Sequence, residues 1–152
     1  MERIKAIQEY VDSMIMKLPS QADRKAAYVH LYGVSEFCAL LATKRGLDVE
    51  LASIAGLLHD LYAYASDGIQ EHAHGGAIMA KEIMESLGLF SDEDIELVSH
   101  AIYLHSDKQQ IDTPFDEVLK DGDVLSHRLY NPLIEPKRHE EDRFRKIMEE
   151  LQ

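Results

Sequence analysis

His59 and Asp60 stand side by side at the end of the apolar segment 51–58. A neutral imidazole next to a carboxylate suits a divalent metal ion; the plain alternative is a helix-terminal histidine beside a solvated aspartate. Neighbouring helical residues point about 100° apart, so both side chains can reach one point only beside a helix end. The chain has 8 histidines in 152 residues, and several others fall where a polar group is costly. His30, Gly33, Val34, Phe37, Cys38 and Leu41 follow the spacing of one buried helical face. His30 is therefore directed inward, where its nitrogens need a ligand or an ordinary carbonyl partner. Ile95, Val98, Ala101, Ile102 and His105 share one arc, with His100 on the far side. That makes His105 an inward candidate or a helix cap, and His100 a surface residue. His72 and His74 stand where a helix begins, and His72 lies closer to the stripe of Ala73, Ala77, Ala80, Met84 and Leu87. A histidine-rich loop without a ligand role fits that segment equally. Asp121 and Asp123 flank the apolar face of Phe115, Val118, Leu119, Gly122, Leu125, Ser126 and Leu129 on opposite sides. Periodicity does not choose between them.

These residues must be carried by helices, because apolar positions recur at helical spacing almost throughout and nothing alternates like a strand. Ile4, Ile7, Val11, Met14, Ile15 and Leu18 mark a first helix, ended by Pro19. Ser20 with Asp23 starts a long second helix that Gly46 stops. Asp48 caps a third, running through Leu61, and 62–71 reads as loop. A fourth covers 73–87. Ser91, followed by Asp92, Glu93 and Asp94, starts a fifth. The segment 108–112 reads as polar loop. Thr113-Pro114 opens a sixth helix reaching Tyr130, and Pro136 opens a last one, charged almost all round, on which Arg138, Arg143 and Arg145 read as a solvated face. The expectation is an all-α single domain over 1–152, a bundle of about seven helices.

Composition narrows the function. Lys and Arg total 16 against 28 Asp and Glu, a net charge of −12, which argues against an extended nucleic-acid or anionic-lipid surface. No apolar run approaches the ~20 residues needed to span a bilayer. The lone cysteine, Cys38, fits a reducing cytosol. The first residues mix charges into apolar positions and lack a small-residue cleavage site, unlike a signal peptide. A cytoplasmic protein with no membrane partner is expected.

Taken in order, the candidate residues give H…HD…H…H…D, and this resembles the HD superfamily of metal-dependent phosphohydrolases. The surrounding words resemble it too: YVHLYGVSEF (28–37), AGLLHDL (55–61), HAHGGAIMA (72–80), AIYLHS (101–106) and KDGDVL (120–125). The likeness covers about 28–130. It is nearest in look to the small diadenosine-tetraphosphate hydrolase branch. Residue by residue, the resemblance implies metal ligands at His30, His59, Asp60, His72, His105 and Asp123. His74 is the fallback for His72, and Asp121 is outside the motif. Gly122 departs from the alanine usual in the family.

The resemblance implies one or two ions: one on His30, His59, Asp60 and Asp123, with Asp60 able to bridge to a second on His72 and His105. Nitrogen and oxygen donors suit Fe, Mn, Co, Ni or Zn, with Mg also compatible. The chemistry implied is hydrolysis of a phosphate ester or anhydride, of a nucleotide or another small molecule, by metal-activated hydroxide, with Asp60 and His59 as the catalytic pair. Lys25, Lys120 and Arg128 are the candidate phosphate contacts, and His127 and His139 read as ordinary residues. Rival readings are a di-iron oxygenase of the same fold and a non-catalytic metal-binding sensor or scaffold domain.

Overall fold

The computed structural model describes residues 2–66 and 72–152. In chain order its helices are α1 (Glu2–Ile15), α2 (Gln21–Arg45), α3 (Val49–Leu58), the single-turn α4 (Leu61–Ala65), α5 (His72–Leu87), α6 (Asp92–Leu104), α7 (Pro114–Tyr130) and α8 (Glu141–Leu151), with a 3-10 turn at Arg138–Glu140. The protein is all-α, and no strand occurs among the described residues. Seven of the helices are longer than two turns, and α4 is an addition: it occupies part of 62–71, where a loop is expected. Residues 67–71 of that expected loop lie outside the described residues.

Local capping chemistry sets most of the ends. Ser20 accepts the backbone N–H of Asp23 to open α2, and Gly46 closes it at φ 68°, a left-handed conformation that glycine adopts without a Cβ penalty. Asp48 accepts the N–H of Leu51 at the start of α3. Ser91 with Asp94 and Thr113 with Asp116 form reciprocal capping boxes for α6 and α7. Two ends differ from the pattern in the sequence. α3 stops at Leu58, with His59 as its cap, and α8 begins only at Glu141 because the 3-10 turn intervenes.

The apolar helix α3 lies at the centre. Every residue from Leu51 to Leu58 is buried, which is why its sequence shows no polar face. α2 packs against α3 on one side and α7 on the other, and α6 closes onto α5, α3 and α7. Two glycines permit the close approaches. A Cβ on Gly56 would come within 2.6 Å of Ser35 Cα, and one on Gly122 within 2.7 Å of Cys38 Sγ. The Gly122 departure thus has a local cause: the Cys38 thiol fills the space an alanine methyl would need. Across these contacts the middle of α2, the C-terminal ends of α3 and α6, the start of α5 and the middle of α7 converge on one polar pocket.

Candidate metal centre

His59 and His105 are presented by the same local device. Each caps the C-terminus of its helix, and each Nδ1 lies 2.7 Å from a carbonyl three residues back, Gly56 for His59 and Ile102 for His105. A carbonyl oxygen only accepts, so Nδ1–H must donate. In the neutral ring, Nε2 then carries a free lone pair. Cap and ligand are therefore compatible roles for one histidine: one nitrogen serves the helix end and the other faces the pocket.

The inward-facing nitrogens meet two carboxylates. His30 Nε2 lies 3.1 Å from His59 Nε2 and 3.1 Å from Asp60 Oδ2. His59 Nε2 lies 3.4 Å from Asp60 Oδ2 and 3.6 Å from Asp123 Oδ1. On the other side of Asp60, Oδ1 faces His105 Nε2 at 3.3 Å and His72 Nε2 at 3.5 Å. Among the described residues, two sets of donor atoms lie close enough to hold an ion: His30, His59, Asp60 and Asp123, and Asp60, His72 and His105. Asp60 belongs to both, with one oxygen turned to each.

The chemistry of this donor set fits a metal. Asp60 Oδ1 and Asp123 Oδ1 are buried without a hydrogen-bond partner, although ring nitrogens stand 3.3–3.6 Å away. Buried carboxylate oxygens need a cation or a donor. With metal–ligand bonds of roughly 2.0–2.2 Å, two donors on one ion are separated by about 3.0–3.4 Å, close to the separations here. Opposite charges in the pocket hold one another ionised. Burial pushes the His59 imidazole down, but Asp60 and Asp123 overcome this and raise it to about 10. Burial opposes ionisation of both aspartates. Even so, His59, His105 and His30 hold Asp60, and Lys108 and His59 hold Asp123, well below the usual carboxylate range. Burial lowers His105.

The structure separates the alternatives that spacing leaves open. His74 stacks on Tyr103 with ring centres 4.0 Å apart, away from the pocket. Asp121 pairs with Arg45 at 2.6 Å and Arg143 at 2.8 Å. His100, half exposed, pairs with Asp116. Cys38 is buried, and burial pushes its thiol up.

The three candidate phosphate contacts are not brought to the pocket. Lys120 is wholly buried and donates to Gln110 O and Asp112 Oδ2, tying α7 to the preceding loop. Arg128 lies over the Phe144 ring and donates to Ile134 O, fastening the C-terminal segment. Lys25 is exposed on α2, about 140° around the helix from His30. Two other expectations are also corrected. Arg143 is not solvated: it pairs with Glu117 and Asp121 and donates to Lys108 O. Leu129 is exposed and outside the buried face of α7.

Other residues reach the site that spacing assigns elsewhere. His127 stacks on His30, with ring centres 5.4 Å apart, and its Nε2 lies 3.3 Å from Asp123 Oδ1. Its Nδ1 lies 3.1 Å from Glu140 Oε1. Lys108, buried in the expected polar loop, donates to Asp123 Oδ2 at 2.7 Å and to His105 O at 2.5 Å. Lys137 and His139 line the cavity of about 310 Å³ that opens on Asp60, His72 and His105. The i,i+4 spacing of Asp123 and His127 is a signal for one of these. The others come from segments with no local pattern.

Residues 27–151 match the HD domain family. The chain belongs to the HD domain family. Its converging histidines and aspartates lie within that match. Curated relatives include ribonuclease Y of Geobacter metallireducens, 30% identical over 100 residues, which covers 65% of this chain and 18% of that protein. Ribonuclease Y of Petrotoga mobilis is 35% identical over 97 residues, covering 64% of this chain and 17% of that protein. The chain thus spans only about a fifth of the length of these relatives. Among solved structures, a predicted HD superfamily hydrolase from an uncultured Thermotogales bacterium superposes with a TM-score of 0.63 at 24% identity, over 95% of this chain and 88% of that one. That likeness supports the HD domain fold. No helix among the described residues is long and apolar enough to cross a membrane.

Proposed function

We propose that this HD domain protein is a metal-dependent phosphohydrolase acting on a phosphate ester or anhydride of a small molecule. The observation that supports it is the division of Asp60, with Oδ2 toward His30 and His59 and Oδ1 toward His72 and His105. His30, His59, Asp60 and Asp123 would hold one divalent ion, and Asp60, His72 and His105 a second. Such ions supply a water whose pKa is lowered toward about 7 and positive charge opposite the phosphoryl oxygens. This donor set suits Fe, Mn, Co, Ni or Zn, with Mg compatible.

The chain's own residues do the positioning. Gly56 O and Ile102 O hold the His59 and His105 rings with Nε2 turned inward. Lys108 binds Asp123 through Oδ2 and leaves Oδ1 facing His30 and His59. Lys137 and His139, exposed at the rim of the cavity, are placed to receive phosphoryl oxygens. Asp60 and His59 are the residues on which turnover most depends.

The curated relatives are ribonucleases, and this favours an RNA phosphodiester as the second reading. The net charge of −12 weighs against a long RNA contact. One assay set separates the readings. Metal-loaded protein is offered small phosphate monoesters, nucleotides and a short RNA, and dioxygen uptake is recorded alongside. Release of inorganic phosphate from a small ester without dioxygen uptake is expected. Cleavage of RNA in preference to every small ester would shift the reading to the second. No hydrolysis of any small ester, anhydride or RNA by protein with metal bound would overturn both.

A further inference from the structure

Beside the polar cavity lies a second one, of about 330 Å³, between α2 and the end of α7. Its character is different. Ala26, Val29, Tyr64 and Tyr130 form most of its wall, and His30 and His127 form the side toward the metal centre. The two cavities are neighbours through shared residues: His127 and Lys137 line both. The parallel pair of imidazoles, His30 on His127 with planes 7° apart, is the partition between them.

Three features point to an organic ligand. Val29 and Tyr130 are exposed, leaving apolar surface in water at the mouth of a concave site. The volume is about ten times one water's share of the liquid, roughly 30 Å³, and lies at the lower end of small-molecule pockets. Its walls carry aromatic rings and methyl groups, with the Lys137 ammonium where the two cavities meet.

We infer that the apolar cavity lined by Ala26, Val29, Tyr64 and Tyr130 binds a flat, apolar ring system of the substrate, joined to the phosphoryl group that lies in the metal-lined cavity. Lys137 stands at the junction, where the phosphate of such a molecule passes from one cavity to the other. This rests on the phosphohydrolase reading and names its substrate class: ring-bearing phosphate compounds, nucleotides and aryl phosphates among them, over ring-free ones such as glycerol phosphate. The ring makes its contacts through dispersion and exclusion of water, so one side chain filling the cavity removes them.

The test uses Ala26→Trp, which fills the cavity from the exposed side of α2, and Ile78→Trp on the exposed face of α5 as a matched control. Binding of adenosine and of 4-nitrophenol to metal-free protein is measured by ligand-observed NMR. At least one of them is expected to bind to wild type and to Ile78→Trp, and to be lost in Ala26→Trp. With metal added, the ratio of kcat/KM for 4-nitrophenyl phosphate over glycerol phosphate is expected to fall about tenfold or more in Ala26→Trp. Equal binding of the ring probes to Ala26→Trp and wild type, or no binding to wild type, would overturn the inference. So would a wild-type dimer that Ala26→Trp dissociates, since a second copy would then fill the cavity. Ring binding that behaves as expected while no phosphate ester is hydrolysed would sink the phosphohydrolase reading and leave the ring site standing.

Discussion

Asp60 Oδ1 lies 3.3 Å from His105 Nε2, while the other oxygen of the same carboxylate lies 3.1 Å from His30 Nε2. One side chain thus joins a donor that caps the C-terminal end of α6 to one within α2. Asp60→Ala is expected to lower turnover by about 10³-fold or more while the helical circular dichroism persists. Because neighbouring histidines favour the ionised Asp60 carboxylate in the folded protein, the metal-free variant should melt lower than wild type at neutral pH, and the difference should shrink as the pH falls through the carboxylate range. Retained turnover would take Asp60 out of the site.

His127 tests the reach of the site beyond its metal donors. The His127→Ala variant loses the contact with Asp123 and the link to Glu140. Outer partners of metal ligands typically matter by 10- to 100-fold. A fall of about that size in kcat/KM is expected, with metal content unchanged by elemental analysis. Loss of the metal itself would mean that His127 secures metal binding and does not act on turnover alone.

Lys108 and Asp123 are both almost fully buried and meet at 2.7 Å. Removing one partner of such a pair leaves an uncompensated charge, at a typical cost of about 3–5 kcal/mol. Lys108→Met should destabilise metal-free protein by about 3 kcal/mol in urea unfolding, and metal-loaded protein by less. An equal loss in both forms would mean that no cation relieves Asp123.

Much of the site is legible in the sequence because helical periodicity is local. Position on a helical face points His30 and His105 inward and His100 outward, and the pocket places them accordingly. Periodicity alone does not separate Asp121 from Asp123, since both flank the same apolar face. The structure does so through Arg45 and Arg143, which take Asp121 from helices remote in sequence. Lys120 shows the converse. A lysine beside a motif reads as an exposed phosphate contact, yet this one is buried against Gln110 O and Asp112, acceptors supplied by a loop with no regular spacing. Lys108, Lys137 and Glu140 have no helical pattern around them, so only the folded chain brings them to the pocket.

Gly122 and Cys38 form a packing pair that a double-mutant cycle reads directly. Gly122→Ala gains helix propensity of about 1 kcal/mol but drives a methyl to 2.7 Å from the Cys38 sulfur, and overpacking typically costs about 1–3 kcal/mol. A net loss of stability is expected for the single variant, with part of it recovered when Cys38→Ala makes room. Additive effects of the two changes would remove the steric explanation.

Elemental analysis of protein purified without added metal or chelator bears most directly on the two donor sets that share Asp60. About two equivalents of divalent transition metal per chain are expected, falling sharply in Asp60→Ala, and chelation should lower the melting temperature as bound ligand is lost. Less than about a tenth of an equivalent, with no rise in melting temperature on adding Mn, Fe, Co, Ni, Zn or Mg, would contradict a metal centre at these residues.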